Sequence, residues 1–430
     1  MSIKKTFAKY VSLNIFGMIG ISFYILADTF FISLAEGANG ITALNLVLPI
    51  YSFIFAVGSM MGVGSAIRFS LCRAKGEDGA SLFFSNAIFW GLILGAVFMV
   101  LGGCFPGELI ELLGGNEEIV RIGTPYTRIF MLFAPFFMWN YVCNAFVRND
   151  GAPTIAMAAT LCSSLFNIVM DYILMFPLNM GMAGAALATA ISPILGIAIC
   201  CIHFFSKKNT IRFLWRRPSV TRLVRSCQLG VSAFVGEFAT GVTTMVFNGL
   251  ILGIAGNVGV AAYGVIANVS LVGIAVFNGL AQGSQPLFSE LYGKGQKKAV
   301  RQVLRMSIIT GFVLAGVILL ATNLLDEQIV TVFNSGQDAQ MAEYAMHGLH
   351  IYFLGFLFAG YNIVCTGYLS AVGVAKWAFA ASILRGVAAI IPCAVLLSMA
   401  LGMTGVWLAF PTAELITAVV STIAIIRQKH

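Results

Sequence analysis

Residues 41–68, ITALNLVLPIYSFIFAVGSMMGVGSAIR, form an apolar run whose one charged side chain is the final arginine. A helix needs about 20 apolar residues to cross the roughly 30 Å hydrocarbon core of a bilayer, so this run predicts a transmembrane helix. Eleven further runs of the same kind occur along the chain. The twelve predicted spans cover approximately 10–35, 41–68, 81–105, 124–147, 154–177, 183–206, 227–255, 260–289, 302–323, 343–370, 376–400 and 403–426.

Composition supports a membrane protein built only from helices. Of the 430 residues, 59% are hydrophobic and 10% are charged, whereas soluble domains average about 45–50% apolar and about 25% charged residues. So few charges could not cover a soluble surface, which excludes a soluble enzyme, a nucleic-acid-binding protein and a disordered chain. The sequence contains no P-loop, HExxH or GxSxG motif, and we therefore predict a protein that is not an enzyme and has no bound cofactor.

The distribution of Lys and Arg predicts the orientation of the chain in the membrane. With the N-terminus in the cytoplasm, 22 of the 25 basic residues fall in cytoplasmic segments, as the positive-inside rule requires. Most acidic loop residues then fall outside. We expect both termini to be cytoplasmic, and we interpret the net charge of +8 as a topology signal rather than a nucleic-acid-binding surface.

The chain consists of two similar halves. The basic linker 207–226 separates an N-lobe, 1–206 with spans 1–6, from a C-lobe, 227–430 with spans 7–12. At an offset of 219, Gly37, Gly40, Ala43, Gly64, Ser65, Ser70, Lys75 and Gly76 match Gly256, Gly259, Ala262, Gly283, Ser284, Ser289, Lys294 and Gly295. At an offset of 221, Gly181, Met182, Gly184, Leu187 and Ala188 match Gly402, Met403, Gly405, Leu408 and Ala409. Repeats of six spans run parallel and are typical of secondary transporters.

Two acidic residues lie inside predicted spans of the first half. An ionised group at the bilayer centre costs about 2.5–3.5 kcal/mol, so it needs a partner or a function. Asp28 in span 1 and Asp171 in span 5 each lie roughly 18 residues from the cytoplasmic start of their helix, which is about 27 Å at 1.5 Å per residue. Asn167 precedes Asp171 by one turn on the same face. These residues predict a cation or proton site, although the alternative is a polar contact between helices.

Other polar residues inside the spans suggest a substrate cavity or a second acidic site. Asn140, Asn144 and Arg148 form a stripe on span 4, and Glu237 shares a face of span 7 with Asn248. Arg385 in span 11 is expected to pair with a carboxylate or to extend its head toward the cytoplasm. The candidates for this second group are Glu237, Asn140, Gln282, Gln285, Asn248, Glu414 and Arg385.

Three motifs together resemble one transporter family. They are Arg148-Asn-Asp-Gly151-Ala-Pro153, Asn167-x3-Asp171-Tyr172 and Gly181-x2-Gly184-Ala-Ala-Leu187-Ala-Thr189. With Gly283-Ser-Gln285-Pro286 and Gly293-x-Gly295 in the second half, the sequence resembles the multidrug and toxic compound extrusion (MATE) family, and most closely its bacterial multidrug-exporter branch. The resemblance covers nearly the whole chain in the correct order.

The resemblance implies an all-α fold of two pseudo-symmetric six-helix bundles in a V shape, which export organic cations or amphipathic drugs in exchange for H⁺ or Na⁺ by alternating access. It assigns the coupling ion, including a possible Na⁺, to Asp28, Asp171 and Asn167, with Asn144 as a further ligand. It also implies a monomer in a bacterial inner membrane. Residues 351–370 hold no acid, unlike span 10 of some family members, and span 1 lacks the proline often found there.

Other functions remain open at this stage. A lipid-linked precursor flippase or a narrow-substrate metabolite exporter of the same superfamily is the nearest alternative, and an ion channel is a more distant one. The sequence determines neither the natural substrate nor the choice between H⁺ and Na⁺.

Overall fold

The computed structural model describes residues 2–333 and 338–428, apart from the side chains of residues 38, 39 and 41. Ten helices in this part of the chain are each long and apolar enough to cross a bilayer. The bent pair Glu117–Leu132 and Ala134–Asn149 forms one further span. The helix Val220–Gly293 contains two spans that meet at a break, which confirms the twelve predicted spans. Lys429, one of the basic residues counted above, lies outside the described residues.

The bounds of the helices extend beyond the apolar runs because backbone hydrogen bonding continues through the charged ends of a helix. Two short helices, Pro106–Leu112 and Asp326–Phe333, occupy connecting stretches. Span 4 bends by 49° between its two helices, where Pro135, in the first turn of the second helix, lacks a backbone donor. Spans 1 to 12 are Ile3–Gly37, Thr42–Lys75, Ser81–Cys104, Glu117–Leu132 with Ala134–Asn149, Pro153–Met175, Gly181–Phe204, 220–255, 257–293, Lys297–Leu324, Ala339–Ala371, Ala375–Leu401 and Met403–Arg427.

The same backbone break joins the first two spans of each half. Gly37 has φ 60° and ψ −147°, and Gly256 has φ 63° and ψ −156°. This region of φ and ψ is open essentially to glycine alone. The two breaks are 219 residues apart, so the structure repeats at the offset that the sequence predicts.

A second pair of matched glycines lies one turn after each break. A Cβ at Gly40 would lie 2.4 Å from the Cβ of Glu36, and a Cβ at Gly259 would lie 2.6 Å from the Cβ of Ala255. Both distances are shorter than real Cβ contacts. The crowding is equivalent in the two halves, which shows that the repeat preserves local packing as well as residue type.

By spatial contact the chain divides into two compact units. We call Phe16–Phe238 with Ser289–Gln296 the N-unit, and Met1–Ile15 with Ala239–Phe288 and Lys297–His430 the C-unit. The start of span 1 therefore belongs to the C-unit, and the start of span 7 belongs to the N-unit. The predicted lobes, 1–206 and 227–430, are defined by the sequence repeat and stay a prediction.

Close backbone approaches explain these exchanged helix starts. In the N-unit, a Cβ at Gly230 of span 7 would lie 1.9 Å from the carbonyl oxygen of Met60 in span 2. In the C-unit, a Cβ at Gly279 of span 8 would lie 2.5 Å from the Cα of Ile15 in span 1. Small residues allow membrane helices to approach this closely, and each unit uses them at the same place in its repeat.

Aromatic side chains fill the core of each unit. In the N-unit, the rings of Phe130 and Phe137 stack with centroids 4.5 Å apart. In the C-unit, Tyr352 and Phe410 stack with centroids 4.3 Å apart, and Trp407 is fully buried. Both cores hold the spans in fixed positions and therefore fix the polar groups described next.

Candidate functional site

The predicted carboxyl pair lies where spans 1 and 5 pack side by side in the N-unit. Gly17 and Gly20 form the close contact, since a Cβ at Gly20 would lie 2.6 Å from Leu161 Cδ2. Both spans run in the same direction from this contact. About two further turns bring Asp28 of span 1 opposite Asp171 of span 5.

The two carboxyl groups meet inside the N-unit. Asp171 is fully buried and Asp28 is 7% exposed, and their side chains are within hydrogen-bonding reach of each other. The Oδ1 atom of each residue has no hydrogen-bond partner among the described residues. No Lys, Arg or His in the described chain forms an ion pair with either carboxyl group.

Asn167 connects Asp171 to span 6. In the orientation that satisfies both ends of its amide, the nitrogen donates to Asp171 Oδ2 at 3.1 Å. The amide oxygen then accepts from the Thr189 backbone nitrogen at 3.3 Å and from Thr189 Oγ1 at 3.2 Å. The site thus joins spans 1, 5 and 6 through one continuous chain of polar contacts.

This arrangement can hold a proton or a small hard cation. Two carboxyl groups this close in dry surroundings cannot both be ionised unless a cation neutralises them. Without a cation, at least one of them must hold a proton. Carboxylate and amide oxygens are also the ligands that hard cations prefer. The described residues contain no cluster of three or more His, Cys, Asp or Glu side chains of the kind that binds a transition metal.

The structure does not bring Asn144 to the carboxyl pair. Its amide nitrogen donates to Thr160 Oγ1 at 2.9 Å and to the Ala156 carbonyl at 3.1 Å. Its oxygen accepts from Arg148 Nη1 at 3.3 Å. Thr160 precedes Asp171 by about three helical turns, on the order of 16 Å. Asn144 therefore stabilises the packing of span 4 on the first half of span 5.

Asn140 also faces neighbouring helices. Its Oδ1 would lie 2.6 Å from a Cβ at Gly196 of span 6, and Ser163 Oγ would lie 2.8 Å from the same point. Glycine at position 196 therefore leaves room on span 6 for the side chains of Asn140 from span 4 and Ser163 from span 5.

Glu237 lies in the same unit as the carboxyl pair and close to tyrosines. It is half-buried, and it is within electrostatic range of Tyr24 and Tyr141. Tyr24 is also within electrostatic range of Asp28 and Asp171. In the N-unit, Tyr24 is therefore within electrostatic range of both the carboxyl pair and Glu237.

The C-unit contains a different acidic site, in which an arginine side chain neutralises the carboxylate. Arg385 Nε donates to Glu414 Oε1 at 2.6 Å, and Asn362 Nδ2 donates to Glu414 Oε2 at 2.7 Å. Glu414 is 2% exposed. Arg385 lies in a π-helical turn, Leu384–Ala388. The pairing that the sequence proposed for Arg385 is thus present, with Glu414 as its partner.

The remaining candidates lie in spans 7 and 8 of the C-unit. Asn248 is half-buried, and its Oδ1 has no hydrogen-bond partner in the described part of the chain. Gln285 is 4% exposed, and both Gln282 and Gln285 take part in polar interactions within the protein.

A buried aspartate that sequence analysis did not single out lies at the end of the N-unit that carries the linker 207–226, which we call the basic end. Asp150 is buried and accepts hydrogen bonds from Arg73 Nη1, from the Thr210 backbone nitrogen at 2.8 Å and from Thr210 Oγ1. A hydrogen bond of 2.8 Å joins its Oδ2 to His203 Nε2. Asp150 lies inside the quoted motif 148–153, but its partners come from three other segments.

Thr189 and Asn362 also participate in the two intramembrane networks without having been predicted. Thr189 belongs to the motif 181–189 quoted above, so its place in the sequence gave a usable signal. Asn362 is a single polar residue in an apolar span, and only the packing of spans 10 and 12 shows that it contacts Glu414.

Twelve apolar spans in two repeats, with a buried carboxyl pair among them, define a polytopic membrane transporter. The family model MatE matches residues 14–173 and again residues 233–396. The chain belongs to the MATE family. One match falls in each half of the chain, in agreement with the internal repeat.

Individual relatives and solved structures agree with this assignment. The chain is 29% identical over 407 residues to the multidrug export protein MepA of Staphylococcus saprophyticus, covering 94% of this chain and 89% of that protein. It is 28% identical over the same length to MepA of Staphylococcus aureus.

Two solved structures share the fold at low sequence identity. An outward-facing multidrug resistance MATE family transporter of the MOP superfamily has a TM-score of 0.93 at 21% identity, covering 100% of this chain and 97% of that one. A MOP superfamily transporter from Pyrococcus furiosus, described as having a binding pocket of reverse polarity, has a TM-score of 0.90 at 21% identity, covering 99% of this chain and 95% of that one. The chain is accordingly a multi-pass protein of the cell membrane.

Proposed function

We propose that this protein exports organic cations across a bacterial inner membrane in exchange for an ion bound between Asp28 and Asp171. The observation that carries the proposal is the buried carboxyl pair, which lacks a basic partner in the described chain. An exchangeable ion must therefore supply the neutralising charge. The only other buried carboxylate described within the spans, Glu414, has Arg385 as a permanent counter-ion and does not need an exchangeable one.

H⁺ would serve as the coupling ion by joining the two carboxyl groups, which are within reach of each other. Two carboxyl groups can hydrogen-bond to each other only when at least one carries a proton. Na⁺ is the alternative, and it would use the two free Oδ1 atoms as ligands. Either ion drives transport only if it binds the two access states with different affinity.

A pocket in the N-unit would give this ion an approach to the carboxyl pair from solution. An open pocket of about 430 Å³ lies between the end of span 1 and the turn that joins spans 5 and 6, and Glu36, Met175 and Gly181 are among its lining residues. Met175 lies one turn beyond Asp171, and Glu36 lies about two turns beyond Asp28. The pocket is thus within about 12 Å of the carboxyl pair along either helix.

The N-unit also supports the substrate class. Glu237 supplies a negative charge, and Tyr24 and Tyr141 supply aromatic faces within its electrostatic range. A flat organic cation would gain both a charge partner and cation–π contact there. The MepA relatives are named as multidrug exporters, which agrees with this substrate class.

We further propose that both termini lie in the cytoplasm, that the protein acts as a monomer and that it catalyses no chemical reaction. The distribution of basic residues supports the orientation. Membership of a transporter family supports the absence of enzymatic activity.

The test is efflux of a fluorescent organic cation in everted membrane vesicles under a pH gradient and, separately, under a Na⁺ gradient. We expect the unmodified protein to transport under one of them. Asp171→Asn and Asp28→Asn are expected to lower the coupled rate at least tenfold while the protein still inserts and folds. Glu343→Gln, which removes an acidic residue from a loop-side helix end, is the matched control and should retain transport.

Normal coupled efflux by Asp171→Asn would refute the assignment of the site. Absence of transport by the folded, unmodified protein under both gradients would favour a narrow-substrate exporter or a lipid flippase. A steady current without saturation would indicate a channel.

A further inference from the structure

The linker between the two repeats is fixed along the basic end of the N-unit by hydrogen bonds to side chains. The backbone nitrogen of Thr210 donates to Asp150 Oδ2 at 2.8 Å, that of Arg212 to Ser81 Oγ at 3.1 Å and that of Leu214 to Ser85 Oγ at 2.8 Å. Every second residue is held in this way, which is typical of an extended chain. The linker is therefore a fixed surface feature.

The same segment presents aromatic side chains outward. Trp215 is 84% exposed, and its ring lies 5.4 Å from that of Phe89 on span 3. The ring of Phe213 lies 5.6 Å from Phe89. Phe205, at the end of span 6, is 90% exposed. An exposed Trp beside the end of a span is typical of the membrane–water interface.

Positive charge is concentrated in the same segment. Residues 204–225 contain seven basic side chains and no Asp or Glu. In the described chain none of the seven forms an ion pair, and six of them are exposed. The seven are Lys207, Lys208, Arg212, Arg216, Arg217, Arg222 and Arg225.

We propose that this surface, comprising Phe213, Trp215, Arg212, Arg216 and Arg217, is a binding site for an anionic phospholipid. The guanidinium groups would bind the headgroup phosphate, because Arg pairs with phosphate oxygens through two parallel hydrogen bonds. The rings would lie at the level of the headgroups, beside the first acyl carbons. Charge complementarity selects an anionic lipid over a zwitterionic one.

A lipid bound here would contact the linker and span 3 together. Span 3 contributes Ser81, Ser85 and Phe89, while the linker contributes the basic and aromatic groups. The lipid would thus add to the hydrogen bonds that hold the linker on the N-unit, and it would do so only where the leaflet supplies anionic headgroups.

The test uses the full chain reconstituted in bilayers of POPC and POPG in which either POPG alone or POPC alone carries brominated acyl chains. Bromine quenches tryptophan fluorescence at short range. The share of emission due to Trp215 is the difference between the unmodified protein and Trp215→Phe. We expect brominated POPG to quench this share several-fold more strongly than brominated POPC at equal content.

A triple variant, Arg212→Gln with Arg216→Gln and Arg217→Gln, should abolish the preference. Each basic residue near an anionic surface contributes on the order of fivefold in lipid affinity. The matched control replaces Lys297, Lys298 and Arg301, three exposed basic residues at the start of span 9, by Gln and should keep the preference.

Equal quenching of Trp215 by both brominated lipids in the unmodified protein would overturn the proposal, and so would quenching by neither. A lost preference in the control variant as well would show a general charge effect and would also overturn it. The readout does not involve transport, so its outcome is independent of the proposed exporter function.

Discussion

Removal of both partners of the Arg385–Glu414 pair should destabilise the protein by less than the sum of the two single removals. Glu414 is 2% exposed, and Arg385 Nε lies 2.6 Å from its Oε1. Removing one partner of a buried ion pair lowers the free energy of unfolding by about 3–5 kcal/mol, because the other partner is left as an uncompensated buried charge. The Arg385 side chain is 21% exposed, and Asn362 still donates to Oε2, so we expect about 3 kcal/mol for Arg385→Met.

The double-mutant cycle is completed by Glu414→Gln and by the two changes together. Gln at position 414 can still accept from the guanidinium group, which remains partly solvated, so this variant should lose about 1.5–2 kcal/mol. The double variant contains no buried charge and should lose about 2–3 kcal/mol, which gives a coupling energy of about 2 kcal/mol. The measurement is the free energy of unfolding in mixed micelles, obtained for all four proteins under one condition.

The matched control is Arg305→Met, which makes the same change at an exposed position of span 9 and should alter stability by no more than about 0.5 kcal/mol. If the two single losses add up to the loss of the double variant within about 0.5 kcal/mol, the pair does not act as a unit. This result would contradict the claim that Arg385 neutralises Glu414 in the C-unit, whereas the carboxyl pair of the N-unit needs an exchangeable ion.

Two further variants test the packing of the N-unit and the attachment of the linker. Gly230→Ala should lower the free energy of unfolding of the purified protein by about 1–3 kcal/mol through overpacking, because the new Cβ would lie 1.9 Å from the Met60 carbonyl oxygen. Gly236→Ala is the control and should be neutral, because nothing lies within 4 Å of its Cβ. Equal effects of the two variants would contradict the close approach of spans 2 and 7. Asp150→Asn should release the linker by removing the charge that Arg73, His203 and Thr210 share, and tryptic cleavage after Arg212 or Arg216 should become at least tenfold faster. The exposed Asp78→Asn is the control, and an unchanged rate for Asp150→Asn would show that the linker is held by other contacts.

The fold could be predicted from the sequence to a large extent because a bilayer imposes a length and a polarity on every span. The same constraint explains what was missed. The 49° bend in span 4 leaves the count of apolar residues unchanged, so hydropathy does not detect it. The exchanged starts of spans 1 and 7 arise from glycine contacts between segments far apart in sequence, and no periodicity in one helix shows its partner.

The candidate site could be predicted where the depth of a residue within its span was enough to place it. It could not be predicted where the position of a residue depends on which helix lies beside it. Asp28 and Asp171 lie at similar depths in the two spans as predicted from the sequence, and the structure places them together. Asn144 shares a helix face with Asn140 and Arg148, but the spacing within one helix does not show which helix that face meets. The structure places Asn144 against Thr160 and Ala156, three turns away from the carboxyl pair.

The backbone conformation at the two helix breaks has a consequence for the gene. A glycine codon accepts any base at its third position, while every substitution at the first or second position encodes a residue with a Cβ or a stop. The conformation at Gly37 and Gly256 strains a residue with a Cβ by about 1–3 kcal/mol, whereas Gly249 and Gly253 are helical and open. Two codons, 219 apart, are therefore limited to synonymous change, and the gene carries the same restriction once in each half.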